Sequence, residues 1–119
     1  MADLVADLKL VTGGPFSACP DGPCGYTTGT YVARNSVLDN DVGIYLLNLD
    51  AAFSAPPSAT RIKIVNNTVS KTDGFTNSYQ AGISDIGNSD QILANTISGY
   101  LSAIDADLSL TRVHANSVQ

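Results

Sequence analysis

Four copies of one short phrase pace this chain: Val32-Ala33-Arg34-Asn35-Ser36-Val37, Val65-Asn66-Asn67-Thr68-Val69, Leu93-Ala94-Asn95-Thr96-Ile97 and His114-Ala115-Asn116-Ser117-Val118. Each Asn has a β-branched aliphatic three residues before it (Val32, Ile64, Ile92, Val113) and another two residues after it (Val37, Val69, Ile97, Val118). A second phrase keeps step with the first. Ile44 follows Asn35 by 9 residues and Ile104 follows Asn95 by 9, while Ile83 precedes Asn95 by 12 and Ile104 precedes Asn116 by 12. The resulting period of 21 residues is a solenoid spacing.

The columns specify the kind of solenoid. There is no heptad and no leucine-rich consensus, so a 21-residue unit with β-branched clusters suits three short strands per turn, each stacked on its equivalent in the next. Val, Ile and Thr favour a pleated surface. Asn tolerates the left-handed backbone of a sharp corner, and its amide can stack on the Asn above. Asn35, Asn67, Asn95 and Asn116 are therefore expected to form a structural ladder.

The phrase Gly82-Ile83…Ile92-Leu93-Ala94-Asn95-Thr96-Ile97-Ser98-Gly99 resembles the repeat of right-handed parallel β-helix proteins, the pectate-lyase-like β-solenoids. The resemblance covers roughly 30–118. It implies an all-β, right-handed parallel β-helix of about four coils in a single domain spanning 1–119. The consensus is a packing code and carries little chemistry.

Departures from the period locate the loops. With Leu4 aligned to Ile44, Asn35 comes 19 residues late; Asn67 follows Ile44 with 11 extra residues, and Ile83 follows Asn67 with 7 extra. The insertions fall near 12–28, 50–59 and 71–78, where Gly, Pro, Ser and Asp cluster. The first two leave after the strand carrying Leu4 and Ile44, and the third arrives before its next copy. All three therefore flank one sheet, and the family resemblance implies a loop-walled groove there that binds polysaccharide.

Strand alternation outlines the groove floor. If Leu4, Ile44, Ile83 and Ile104 point inward, then Val5, Tyr45, Ser84 and Asp105 point outward. The next inward column is Ala6, Leu46, Asp85 and Ala106, where Asp85 is out of place. A local bulge placing Asp85 outside and Ile86 inside is the preferred expectation; the alternative is a buried, paired charge. With the bulge, Asp7, Asp85, Asp105 and Asp107 gather by one face with Tyr45 as a platform. Asp85, Asp105 and Asp107 are then the catalytic candidates for glycoside hydrolysis, and the same three could hold calcium, the one cofactor in view. Tyr45, Ser84, Asp105 and Lys71 are the ligand-binding candidates, Lys71 because it lies in a flanking insertion. A solvated acidic face is the simpler reading of the same residues.

Other signals bound the function. His114 and Arg112 fall on a different sheet, and a single His with two Cys lacks the ligands for a zinc site. Cys19 and Cys24 bracket Pro-Asp-Gly-Pro, a turn that favours a disulfide and hence an extracellular or cell-surface setting, although the opening residues show no signal-peptide core. Net charge −5 argues against nucleic acid, and no apolar run approaches the ~20 residues of a membrane span. A noncatalytic module that binds carbohydrate or serves assembly is the leading expectation. A polysaccharide-active enzyme and a filament subunit stacking through its ends are the alternatives, the last because strands near both ends lack an evident cap.

Overall fold

The computed structural model describes residues 9–15, 18–74 and 79–119. Among them the chain is all-β, without a helix. The strands are β1 (Lys9–Gly13), β2 (Ala18–Cys19), β3 (Gly22–Pro23), β4 (Tyr31–Ala33), β5 (Ser36–Leu38), β6 (Val42–Asn48) and β7 (Lys63–Val65), then β8 (Thr68–Ser70), β9 (Ala81–Ile86), β10 (Gln91–Leu93), β11 (Thr96–Ser98), β12 (Ile104–Ala106), β13 (Arg112–His114) and β14 (Ser117–Val118). Three four-stranded parallel sheets result, in the orders β1-β6-β9-β12, β4-β7-β10-β13 and β5-β8-β11-β14. The chain visits the three sheets in turn, a pattern compatible with a β-solenoid.

Register explains the short strands. In β4, β7 and β10 only the central residue is buried, so Val32, Ile64 and Ile92 stack directly on one another, with Val113 of β13 next in line. Val37, Val69 and Ile97 stack the same way in the second sheet, and Ile44, Ile83 and Ile104 in the first. These columns meet as one apolar core, with Ile62 and Leu46 inside it. Like packs on like because parallel, in-register pairing sets the same position of each strand over its equivalent.

The Asn residues bond in one direction along the stack. The backbone N–H and the Nδ2 of Asn35 both donate to Asn67 Oδ1 at 2.9 Å, and Asn67 repeats this onto Asn95 Oδ1. Asn95 does the same onto Asn116 Oδ1. Each Nδ2 also reaches back to the preceding strand: Asn67 to the Val32 carbonyl, Asn95 to that of Ile64, Asn116 to that of Ile92. Corner backbone that could not otherwise be satisfied is thereby paired in the interior.

The left-handed corner residue, however, is the one before the ladder Asn. Arg34, Asn66, Ala94 and Ala115 have φ of 56°, 58°, 56° and 60°. The Asn is retained for its side-chain bonds, and its neighbour takes the strained dihedral.

Two expectations at the N-terminal side change. Leu4, Val5, Ala6 and Asp7 lie outside the described residues, and Lys9, not Leu4, sits opposite Ile44. β1 runs to Gly13, so Thr12 and Gly13 are strand, and the first insertion begins after them. That insertion holds the β2–β3 hairpin, closed by a disulfide between Cys19 and Cys24 whose Cα atoms are 5.1 Å apart. No helix of the described residues is long and apolar enough to cross a membrane.

Candidate functional site

The outer face of the β1-β6-β9-β12 sheet carries Tyr45, Ser84 and Asp105 in direct register across three strands. Over this row lies a cleft of about 580 Å³. Tyr45, Ser84, Ile86 and Asp105 line it from the sheet, Phe53 and Ala55 from the β6–β7 connection, and Tyr79 from the β8–β9 connection. Two insertions thus wall the same sheet. Residues 75–78 of the third insertion lie outside the described set.

Each wall has a local cause. Asp50 Oδ1 accepts the backbone N–H groups of Ala52 and Ser54, and the Phe53 N–H donates to the Asp50 carbonyl at 3.0 Å. This Asx-type turn forces Phe53 to φ 62° and holds its ring 68% exposed beside the cleft. A bulky residue with positive φ and an exposed ring stores strain of the kind found at binding sites. On the other side, the Tyr79 hydroxyl bonds with Ser84 Oγ at 3.1 Å and donates to Asp105 Oδ2. Burial first, then the bond to Asp105, raises the Tyr79 pKa, so the phenol keeps its proton.

The acidic candidates separate. Asp105 faces the cleft. Asp107 follows β12 and turns onto Ser109, whose N–H and Oγ donate to its Oδ1 at 2.9 and 2.6 Å and hold it below the usual carboxylate range. Asp85 is not on the outside. No bulge occurs: Leu46, Asp85 and Ala106 pair in unbroken register, and Asp85 is 5% exposed, with Ile86 half-buried on the opposite face.

Interior partners explain how a carboxyl survives there. Thr111 Oγ1 donates to Asp85 Oδ2 at 2.6 Å, and the Asp90 carboxyl lies against Asp85. Asp90 is 1% exposed, and its Oδ1 accepts Thr60 Oγ1 and the Ile62 N–H, each at 2.7 Å. Asp85 Oδ1 and Asp90 Oδ2 have no other partner, so one proton shared between the two acids satisfies both oxygens. Burial is the main cause that lifts Asp85 to about 7, with Asp90 adding to it and the Thr111 bond opposing it. Gly87 makes the room, since a Cβ there would overlap Asp90 Oδ2.

Asp85, Asp105 and Asp107 therefore do not form a calcium site: among the described residues no group of three or more His, Cys, Asp or Glu is placed to hold a metal ion. Lys71 also lies apart from Tyr45, Ser84 and Asp105. Its ammonium is 2.6 Å from Asp73 Oδ1 and 3.7 Å from Asp41 Oδ1, nearly out of solvent, and the Asp73 bond raises its pKa. Lys71 is a clasp at the edge of the stack.

Tyr79, Phe53, Asp90 and Thr111 have no place among the sequence-derived candidates. The first two sit in insertions, where no repeat column predicts orientation. Asp90 and Thr111 could have been found: each lies two residues before an inward column residue, the buried Ile92 or the partly buried Val113, and alternation turns both inward. The chain matches no protein-family model, no curated protein and no solved structure.

Proposed function

We propose that this chain is a noncatalytic carbohydrate-binding module built on a right-handed β-helix of about four coils. The observation that carries this reading is the cleft itself: Tyr45 and Phe53 with Tyr79 give it three aromatic side chains, beside hydrogen-bonding groups on Ser84 and Asp105. Sugar rings present apolar C–H faces and equatorial hydroxyls, and flat aromatic rings with nearby polar groups match both. Asp85 is engaged in the interior and Asp107 by Ser109, which weighs against a pair of acids acting on one glycosidic bond.

Affinity electrophoresis through gels containing neutral, amino or acidic polysaccharides tests the reading. Retardation by at least one polymer is expected, lost in Tyr45→Ala and Phe53→Ala and kept in Leu101→Ala, an exposed apolar residue outside the cleft. Free migration in every gel would overturn it.

The ladder favours a second reading, assembly by stacking of copies. Among the described residues no donor reaches Asn35 Oδ1, the acceptor half of the bond that joins each rung to the next. Light scattering over a dilution series tests this reading, which requires mass to rise with concentration and a constant monomer mass to be absent.

A further inference from the structure

We propose that the cleft selects glycans bearing protonated amino groups over neutral and acidic ones; the inference rests on the carbohydrate-binding reading and narrows its ligand class. The acidic side chains that face the cleft are Asp105 and Asp107, while Asp85 borders it but turns its carboxyl into the core; no Lys, Arg or His lines the cleft among the described residues. Lys71 is held by Asp73 and Asp41, Arg34 sits at the corner between β4 and β5, Arg61 and Lys63 line a separate depression, and Arg112 and His114 are on β13 of another sheet; Lys9, on β1, pairs in register with Ile44 and not with the Tyr45 row, and its side chain lies outside the described set.

The Asp105 carboxylate is oriented for an ammonium. Tyr79 occupies its Oδ2, and Oδ1 receives no donor from the described residues. Asp107 likewise uses Oδ1 for Ser109, with no donor on Oδ2. An ammonium brings three N–H donors and a positive charge to oxygens that offer only lone pairs. Tyr45 and Phe53, on the same lining, present π faces that attract a cation as well as sugar C–H groups. A uronic-acid polymer would bring its carboxylates against Asp105 and Asp107 with no base to offset them. An N-acetylated sugar would keep the aromatic contact and lose the charge.

Isothermal titration calorimetry at mildly acidic pH and physiological ionic strength, with glucosamine oligomers, their N-acetylated counterparts and galacturonate oligomers of equal length, tests this. The glucosamine oligomer is expected to bind at least about ten-fold more tightly than the N-acetylated one, with galacturonate weakest. Asp105→Asn should equalise the first two while leaving a common residual affinity. Asp21→Asn, in the disulfide hairpin outside the cleft, should keep the preference for the glucosamine oligomer. Equal or tighter binding of the N-acetylated or galacturonate oligomer overturns the selectivity and leaves carbohydrate binding standing. An Asp21→Asn variant that loses the preference as fully as Asp105→Asn reduces the effect to net charge and overturns it too. If none of the three oligomers binds, the selectivity falls, and the polysaccharide gels decide the carbohydrate-binding reading separately.

Discussion

Thr111 donates its hydroxyl to Asp85 at 2.6 Å across the interior, joining the segment before β13 to the C-terminal end of β9. With Asp90 against the same carboxyl, a position that aligns with Leu46 and Ala106 becomes a buried acid pair instead of an apolar contact. The cleft floor and this pair lie on opposite faces of one strand. Ser84 faces the cleft, and Asp85 meets the core.

The acid pair sets an unusual pH dependence. Burial raises Asp85 from 3.8 to about 7, so the folded chain holds a proton that the unfolded chain releases. Its contribution is complete below the unfolded value and declines as pH rises toward the folded one. Linkage gives a loss of up to roughly 4 kcal/mol. Asp39, lowered chiefly by the Thr72 N–H, and Asp107 act oppositely and lose their contributions as pH falls through their depressed pKa values. Stability is therefore expected to peak near about pH 4 and to fall toward neutrality. Asp85→Asn should flatten that fall. Urea midpoints across the range measure it, and a midpoint that climbs from acid to neutral pH would exclude the shared proton.

Removing one rung of the ladder should be costly. Asn67 is 1% exposed, and its side chain accepts from Asn35 and donates to Asn95, Val32 and Val65. Asn67→Ala leaves buried donors and acceptors on both sides unpaired and is expected to destabilise by roughly 3 kcal/mol or more. Chemical denaturation reads this directly, and a change below about 1 kcal/mol would show that the rungs act independently of the fold.

Ala94 offers a stabilising substitution. Its φ of 56° lies in the left-handed region, where Asn66 occupies the equivalent corner at 58°. Ala94→Asn keeps an exposed side chain at the same corner and should stabilise by about 0.5 kcal/mol, because Asn adopts this conformation more readily than Ala. A lower melting temperature for Ala94→Asn would contradict the corner assignment.

Reduction of Cys19–Cys24 should leave the main unfolding transition in place. The bond closes a six-residue ring in a hairpin whose strands pair only with each other. The ~2 kcal/mol that chain entropy allows for so short a ring acts on the hairpin and not on the stacked columns. Melting with and without reductant is expected to differ by less than about 2 °C, and a fall of many degrees would mean that the hairpin braces the core.

The repeat made much of the stacking legible. Val32, Ile64, Ile92 and Val113 recur at one offset from an Asn, and parallel in-register pairing turns equal offsets into physical columns. The same logic sets Tyr45, Ser84 and Asp105 in a row. Leu4 does not take the place opposite Ile44: the first insertion leaves no nearby Asn to count from, and register brings Lys9 there.

What periodicity could not decide is whatever depends on neighbours outside the column. An isolated Asp85 looks too costly to bury, and it is buried because Thr111, Asp90 and the space at Gly87 converge on it from other segments. Lys71 belongs by sequence to a loop beside the groove, yet Asp73 and Asp41 hold it away from the cleft. Tyr79 and Phe53 have no repeat partners at all. A 21-residue period in the sequence determined which residues stack, because stacking repeats local geometry. Only the tertiary structure decided which charges are buried and which aromatic rings meet over the sheet, because those depend on insertions and cross-segment contacts that no period encodes.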